Sequence, residues 1–209
     1  MKKLYFLFLS MLLVAGSVHS QNDPNAKKIL DQVSAKLKNY KGITSNFNYI
    51  SKGRTGKTNS SVAGKISIKG QKYYIKQGAT EIFSNGAKTW NYNGNNEVTV
   101  STVDADNQTL TPQKLLSNFY DKDFSYRLVS SAGTFNEIEM IPNDKRKNFQ
   151  KVNVFVDKAR MMITKAKILD KSSNTIEFSL NNINTNATIP DNVFVFNKAK
   201  YKKNIEVIE

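Results

Sequence analysis

The spacing of hydrophobic positions changes from a helical period to a strand period soon after residue 40. Between Asp23 and Gly42, apolar residues recur every three or four positions, which predicts an amphipathic helix packed by one face on an apolar surface. Asp23 suits the N-cap of that helix, Pro24 its first turn and Gly42 its end. From Ile43 onward apolar and polar residues alternate, which is typical of half-buried strands.

Alternating segments separated by turn sequences predict about eleven antiparallel strands. Asn85-Gly86 and Asn93-Gly94 are strong hairpin signals, because both residue types tolerate positive φ. The segments before residue 104 therefore form a meander in which each strand pairs with the next. The predicted strands span 43–52, 62–69, 72–77, 80–84, 87–91, 97–103, 124–129, 134–141, 149–157, 161–170 and 175–182.

A second, shorter helical stripe interrupts the strands. Thr111 suits its N-cap and Pro112 its first turn, and Leu115, Leu116 and Phe119 form its apolar side. After the last long strand, the apolar residues of segment 201–209 leave room for one more short strand.

One sheet of this size must curl or split. The sequence therefore predicts a mainly β fold (α+β), an unclosed antiparallel β-barrel with a lid of two or three helices. The hollow under that lid is either a hydrophobic cavity for an apolar ligand or a filled core. No repeat, linker or shift in charge divides residues 21–209, which predicts a single domain.

The amino terminus has the pattern of a secretory signal peptide. Lys2 and Lys3 precede an apolar run from Leu4 to Ala15, and Val18-His19-Ser20 places small residues where a signal peptidase cleaves. The apolar run is too short to span a hydrocarbon core of about 30 Å. We therefore expect cleavage after Ser20 and a soluble protein in the periplasm, with secretion beyond the periplasm as the alternative.

The residues available for chemistry are few. The only histidine is His19, inside the expected signal peptide, and the chain has no cysteine. This excludes Cys-His and Ser-His catalysis, His or Cys metal sites and disulfides from the mature chain. The carboxylate pairs Asp104-Ala105-Asp106 and Asp121-Lys122-Asp123 leave a hydrolase as one alternative, but their positions beside turns favour solvated loops. We expect no enzyme, no metal and no cofactor.

The chain is strongly basic, with a net charge of +14 that falls to about +12 when Lys2 and Lys3 are removed. Such a charge suggests an anionic partner, which would be membrane phosphate, an acidic protein or nucleic acid. Most of the lysines are scattered, however, which favours a general role in solubility and in protecting strand edges. An exported protein rarely meets nucleic acid, so we expect no nucleic-acid partner.

Several short motifs follow one another along the chain in a consistent order and spacing. They are Ile43–Phe47, Gly64–Lys69, the aromatic pair in Lys72–Ile75, the hairpin Ser84–Asn93 with Trp90, Thr111–Leu116, and Pro190–Phe196 with its Pro-x-x-Val-Phe-x-Phe pattern. Together they resemble the LolA family, the periplasmic carriers of outer-membrane lipoproteins.

This resemblance implies an unclosed β-barrel with a helical lid over a hydrophobic cavity. It also implies that acylated lipoproteins are the cargo, received from an ATP-driven inner-membrane transporter and passed to an outer-membrane acceptor or membrane surface. A monomer is expected. The alternative is a lipid- or lipoprotein-sensing regulator with the same half-barrel, although such proteins usually add a second domain.

The chain departs from the family pattern at one position. The family's Lys-Arg-Pro reads Lys69-Gly70-Gln71 here, so the arginine that ties lid to barrel in the family is replaced by Gly70. The lid-latching mechanism that the resemblance would imply therefore cannot be transferred to this position of the chain. The family aromatic that follows aligns with Tyr74, with Tyr73 as the rival alignment.

The candidate residues for the cavity wall are large and mostly apolar. Each of them can instead be ordinary core, because every large apolar side chain favours burial. Trp90 and Tyr92 favour the cavity, since they share a strand face and their polar atoms suit a partly wet wall. The candidates are Leu30, Val33, Leu37, Phe47, Ile66, Ile68, Tyr74, Trp90, Tyr92, Leu115, Leu116 and Phe119.

Overall fold

The computed structural model describes residues 22–103, 120–201 and 204–209, without the side chains of Asp121 and Lys122. Three sequence predictions lie outside these residues. They are the signal peptide 1–20, the second helix with Leu115, Leu116 and Phe119, and the acidic pair Asp104 and Asp106.

One long helix precedes the sheet in the described chain, and a short one interrupts its strands. Helix α1 spans Pro24–Lys38 and helix α2 spans Tyr120–Asp123. Two 3-10 helices, Asp191–Phe194 and Lys198–Lys200, lie near the carboxyl end. The strands are β1 Ile43–Lys52, β2 Thr58–Lys69, β3 Lys72–Gln77, β4 Thr80–Ser84, β5 Lys88–Tyr92, β6 Glu97–Thr102, β7 Phe124–Ser130, β8 Phe135–Pro142, β9 Phe149–Asp157, β10 Met162–Asp170, β11 Thr175–Asn184 and β12 Glu206–Ile208.

The strands form a single 12-stranded sheet in the order β12-β6-β5-β4-β3-β2-β1-β11-β10-β9-β8-β7. Two antiparallel meanders, β1–β6 and β7–β11, are joined where β1 pairs with β11. Strand β12 adds to β6 in parallel, which confirms the extra strand expected in the tail. The sheet ends at β7 and β12, which do not pair, so the unclosed barrel predicted from the sequence is confirmed.

Helix α1 forms for the local reasons that its sequence indicates. The Asp23 carboxylate accepts hydrogen bonds from the backbone N–H groups of Asn25 (2.8 Å) and Ala26 (3.4 Å), and Pro24 opens the first turn. The helix ends at Lys38, before the Gly42 predicted to stop it. Its buried side includes Leu30.

The first described residues also cover an edge of the sheet. Asn22 Oδ1 accepts the N–H of Tyr126 at 3.0 Å, and the second carboxylate oxygen of Asp23 accepts the N–H of Leu128 at 2.9 Å. Both donors lie on edge strand β7, whose unpaired backbone groups would otherwise be open to other strands. The hydrogen bond from Leu128 is the largest influence on Asp23, whose pKa is held below its usual value.

Candidate functional site

Each strand has an inner face, which we define as the face toward α1, and an outer face. Along β7–β11 and β1–β3 the inner face is apolar. One row of cross-strand neighbours illustrates it: Ile138 on β8, Val154 on β9, Ala166 on β10, Phe178 on β11 and Tyr49 on β1. This apolar surface belongs to one hydrophobic cluster that also includes the buried side of α1.

Aromatic side chains are spread along this inner surface. Phe47 and Phe178 stack with ring centroids 5.9 Å apart, and Phe124 and Phe149 stack at 6.0 Å. On the opposite side of the same strands most of the residues are polar. There, the Glu139 carboxylate accepts hydrogen bonds from Arg127 and Lys151, on the strands to either side.

The apolar side of the sheet changes from inner to outer face beyond β3. On β4–β6 the inner face carries Ser84, Thr89, Asn91, Thr99 and Ser101, together with Ile82. The outer face carries Phe83, Trp90, Tyr92, Val98 and Val100. This reversal divides the nine candidate residues that the structure describes between two surfaces.

The structure brings one group of candidates together on the inner side. Leu30, Val33 and Leu37 of α1 join the same hydrophobic cluster as Phe47, Ile66 and Ile68 of β1 and β2. All are buried except Leu37, which is half-buried. Leu30 and Ile66 are 0% and 1% exposed, so they contribute to the core and leave no free surface for a ligand.

The other described candidates, Tyr74, Trp90 and Tyr92, lie on the outer face and do not join that wall. Trp90 and Tyr92 do share a face, but it is covered by the C-terminal strap, which we define as residues 189–201 and 204–208. Strap residues Phe196 and Tyr201 pack against the cluster that contains Tyr92 and Trp90. Trp90 and Tyr92 therefore take part in a second, smaller core.

The register of β3 shows which tyrosine of the pair faces inward. Tyr73 is opposite Ile68 of β2, is 6% exposed and faces inward. Tyr74 faces outward, where its ring packs 5.0 Å from that of Phe83. The inward aromatic of this motif is thus Tyr73.

A buried carboxylate fixes the strap to the sheet. Glu81 is 7% exposed and accepts hydrogen bonds from Tyr74 (2.6 Å) and Lys76 (2.8 Å), and from Tyr201 of the strap. Burial alone would raise the pKa of Glu81, but the hydrogen bonds from Lys76, Tyr201 and Tyr74 outweigh it and lower that pKa. The desolvated hydroxyls of Tyr74 and Tyr201, next to this anion, have raised pKa values.

The position of the replaced family arginine is a tight turn. Gly70 joins β2 to β3 with φ +57°, a left-handed conformation that favours glycine over arginine. Its neighbour Lys69 instead reaches the strap, donating to the Ile189 carbonyl at 3.2 Å and pairing with Asp191 at 2.8 Å. Lys72 binds the other oxygen of Asp191 at 2.8 Å. The lysine of this motif therefore holds the strap.

An apolar cleft of about 390 Å³ lies where β9, β10 and β11 meet their connecting loops. The inner-face residues Phe149, Ile168 and Ile176 form its apolar side. Its polar lining is Asn148, Asp170, Lys171 and Ser172. These residues were not among the candidates predicted from the sequence. The apolar ones nevertheless belong to the same alternating pattern that predicted their strands.

Within the described residues, no helix has the length and apolar character needed to cross a membrane. Of the carboxylate pairs considered for hydrolysis, Asp123 is described and is exposed at the end of α2.

Comparison with known protein families matches residues 38–197 to the family described as outer membrane lipoprotein carrier protein LolA. The chain belongs to this family. The match begins at the end of α1 and includes the Pro190–Phe196 motif of the strap. No curated protein sequence matches the chain.

Solved structures share the LolA-family fold at low sequence identity. An uncharacterized conserved protein from Thermus thermophilus is 13% identical with a TM-score of 0.58, covering 88% of this chain and 98% of that one. A putative outer membrane lipoprotein-sorting protein domain from Vibrio parahaemolyticus is 13% identical with a TM-score of 0.50, covering 80% and 94%. In the MucA/MucB complex of Pseudomonas aeruginosa, the matching chain is 15% identical with a TM-score of 0.50, covering 83% and 61%.

Proposed function

We propose that the protein is a periplasmic carrier, which binds the acyl chains of lipoproteins released from the inner membrane and delivers them to the outer membrane. The apolar inner face of a LolA-family half-barrel is the observation that supports this proposal. An acyl chain in water costs about 0.8 kcal/mol per CH₂, and burial against such a face recovers much of that cost. The mechanism is therefore burial, without a covalent step.

Residues with free inner surface are the best candidates for contact with the cargo. Tyr49 and Ile176 are half-buried beside the main cluster, and Leu37 is the half-buried member of the predicted set on α1. Phe47 and Ile68 keep 5% and 6% of their surface exposed, so a small opening of α1 would let them join the wall. Leu115, Leu116 and Phe119 remain predicted members of it.

The route of the carrier is part of the same proposal. Cleavage after Ser20 would release the chain into the periplasm. There it would accept acylated lipoproteins from an ATP-driven inner-membrane transporter and pass them to an outer-membrane acceptor or membrane surface. The protein would act as a monomer, without a cofactor.

The test is release of lipoproteins from spheroplasts by the purified protein and two matched variants. Ile176 and Ile50 are both half-buried and lie on the paired strands β11 and β1, but on opposite faces. Ile176→Gln should reduce release about fivefold or more, because a lost apolar contact of about 1 kcal/mol has that effect on affinity. Ile50→Gln should release lipoproteins as the wild type does.

Equal release by both variants would contradict an inner-face site. A wild-type protein that binds an acyl probe but releases no lipoprotein would favour the sensing regulator over the carrier. Thermal unfolding of both variants must be compared, so that a loss of folding is not mistaken for a loss of binding.

A further inference from the structure

Three connections between strands meet at one end of the sheet, next to the apolar cleft. They are the β1–β2 turn (53–57), the β8–β9 loop (143–148) and the β10–β11 turn (171–174), which we call the hairpin end. Pairing of β1 with β11 and of β10 with β9 makes these connections neighbours. The Lys171 ammonium donates to the Lys145 carbonyl at 2.7 Å and ties two of them together.

The hairpin end is rich in cations, several of which are not neutralised. Among the basic residues in and next to it, Lys52 pairs with Glu177 at 2.9 Å and Arg146 pairs with Asp144 at 2.9 Å. Asp170 is engaged by the backbone and side chain of Asn174. The basic residues are Lys52, Arg54, Lys57, Lys145, Arg146, Lys147 and Lys171, against the acids Asp123, Asp144, Asp170 and Glu177.

Arg54, Lys57 and Lys145 are exposed and form no salt bridge to any carboxylate of the described chain. They lie on turns, where long side chains can move without disturbing the sheet. Their charges are therefore available to an external anion.

The hairpin end places cations next to an apolar cleft. This combination is complementary to a surface on which phosphate groups lie just outside a layer of hydrocarbon. The cleft formed by Phe149, Ile168 and Ile176 opens among these loops, and Lys171 is part of its lining. An anionic bilayer offers both kinds of contact, since its phosphates attract lysine and arginine and its acyl chains begin a few ångströms deeper. An acidic protein surface would satisfy the cations but not the cleft.

We propose that the hairpin end docks the protein on an anionic phospholipid surface and turns the cleft toward the membrane. The proposal rests on the proposed carrier function and adds the surface through which an acyl chain passes between bilayer and inner face. Binding to anionic vesicles should weaken as salt rises, because the Debye length is about 10 Å at 0.1 M.

The experiment measures sedimentation of the full mature chain with vesicles of phosphatidylcholine, with and without phosphatidylglycerol. The triple variant Arg54→Gln, Lys57→Gln, Lys145→Gln is compared with a control triple, Lys41→Gln, Lys88→Gln, Lys198→Gln. The control lysines are also exposed and lie away from the hairpin end, so both variants lose the same charge. Each cation near an anionic surface contributes about a fivefold factor, so the loss of all three should weaken binding by about a hundredfold. The control should stay within about threefold of the wild type, since its lysines are too far away to contact the bilayer.

Equal weakening of both triples would overturn the proposal, because general basicity would then explain binding. The proposal would also be overturned if the wild type bound equally to vesicles with and without phosphatidylglycerol. An acidic protein would then remain as the partner of these cations. Titration of the same samples with a fluorescent acyl probe separates the two claims. If the wild type does not bind the probe, the proposed carrier function is contradicted. If the wild type binds the probe but does not prefer anionic vesicles, only the proposed docking surface is contradicted.

Discussion

At the scale of single residues, Gly64 shows why a family motif begins with glycine. It lies opposite Phe47 on the inner face, and a Cβ added there would be 2.6 Å from the Phe47 ring and 2.3 Å from the Lys76 carbonyl oxygen. Real Cβ atoms do not approach other atoms so closely. Phe47 therefore occupies its place because β2 carries no side chain there.

We expect Gly64→Ala to destabilise the protein by about 1–3 kcal/mol, because the ring and the neighbouring backbone must both move. Ala63→Ser, at the adjacent exposed position, should change the free energy of unfolding by less than about 0.5 kcal/mol. Denaturant midpoints of the two variants check this. A Gly64→Ala protein as stable as the wild type would show that the contact is not as close as described.

The Glu81 carboxylate gives the second residue-scale prediction, which concerns pH. Its pKa is lowered below the usual 4.5, so the charged form favours the folded state. Its stabilisation is complete above about pH 4.5 and is lost as the pH falls through the lowered pKa. The difference in unfolding free energy between the wild type and Glu81→Gln should therefore shrink on acidification.

Chemical denaturation at neutral pH and at successively lower pH measures that difference. Glu177→Gln serves as control, because Glu177 is a partly exposed partner of Lys52 on the outer face. A difference for Glu81→Gln that is constant from neutral to acidic pH would mean that its ionisation does not stabilise the strap.

At the scale of elements, the strap serves as a second cover that the helices do not provide. Phe194 is 0% exposed in the 3-10 helix Asp191–Phe194, and Phe196 lies 5.8 Å from Phe83 and 5.0 Å from Tyr201, ring centre to ring centre. These contacts bury the outward-facing apolar residues of β4–β6, some of them fully and others in part. The Pro-x-x-Val-Phe-x-Phe motif is thus a packing motif.

Phe194→Ala should cost about 3–5 kcal/mol, because it removes a fully buried ring and leaves a cavity. Val195→Ala, next to it and 39% exposed, should cost about 0.5 kcal/mol or less. Thermal unfolding followed by the fluorescence of Trp90, which lies under the strap, reports both. Equal stabilities of the two variants would contradict the assigned role of the strap.

The elements themselves were largely predictable, because they depend on local patterns. The bounds of β1, β3, β4 and β9 agree with the alternation read from the sequence. Strand β2 begins at Thr58, earlier than the predicted residue 62, since its first residues pair with β1 without an apolar pattern to reveal them. Capping and turn residues gave α1 and the Asn-Gly hairpins for the same local reason.

At the scale of the whole molecule, what the sequence left open is long-range. Alternation places Trp90 and Tyr92 on one side of β5, but it does not say whether that side faces α1 or the strap. The pairing of β1 with β11 decides which side of each strand is the inner one, and it joins residues far apart in sequence. The candidate wall therefore combined two surfaces, and of its described members those on α1, β1 and β2 meet on the inner side.

Binding of acyl chains on the inner face would place them away from Trp90, the only tryptophan in the sequence. Titration with a brominated fatty acid tests it most directly, because bromine quenches a tryptophan only at close range. Wild-type Trp90 should remain unquenched, while a Tyr49→Trp, Trp90→Phe protein should show saturable quenching. Its control, Ile50→Trp with Trp90→Phe, places the probe on the outer side of β1 and should not be quenched. Saturable quenching of Trp90 in the wild type would contradict the inner-face site. Quenching in the Ile50→Trp variant but not in the Tyr49→Trp variant would also contradict it.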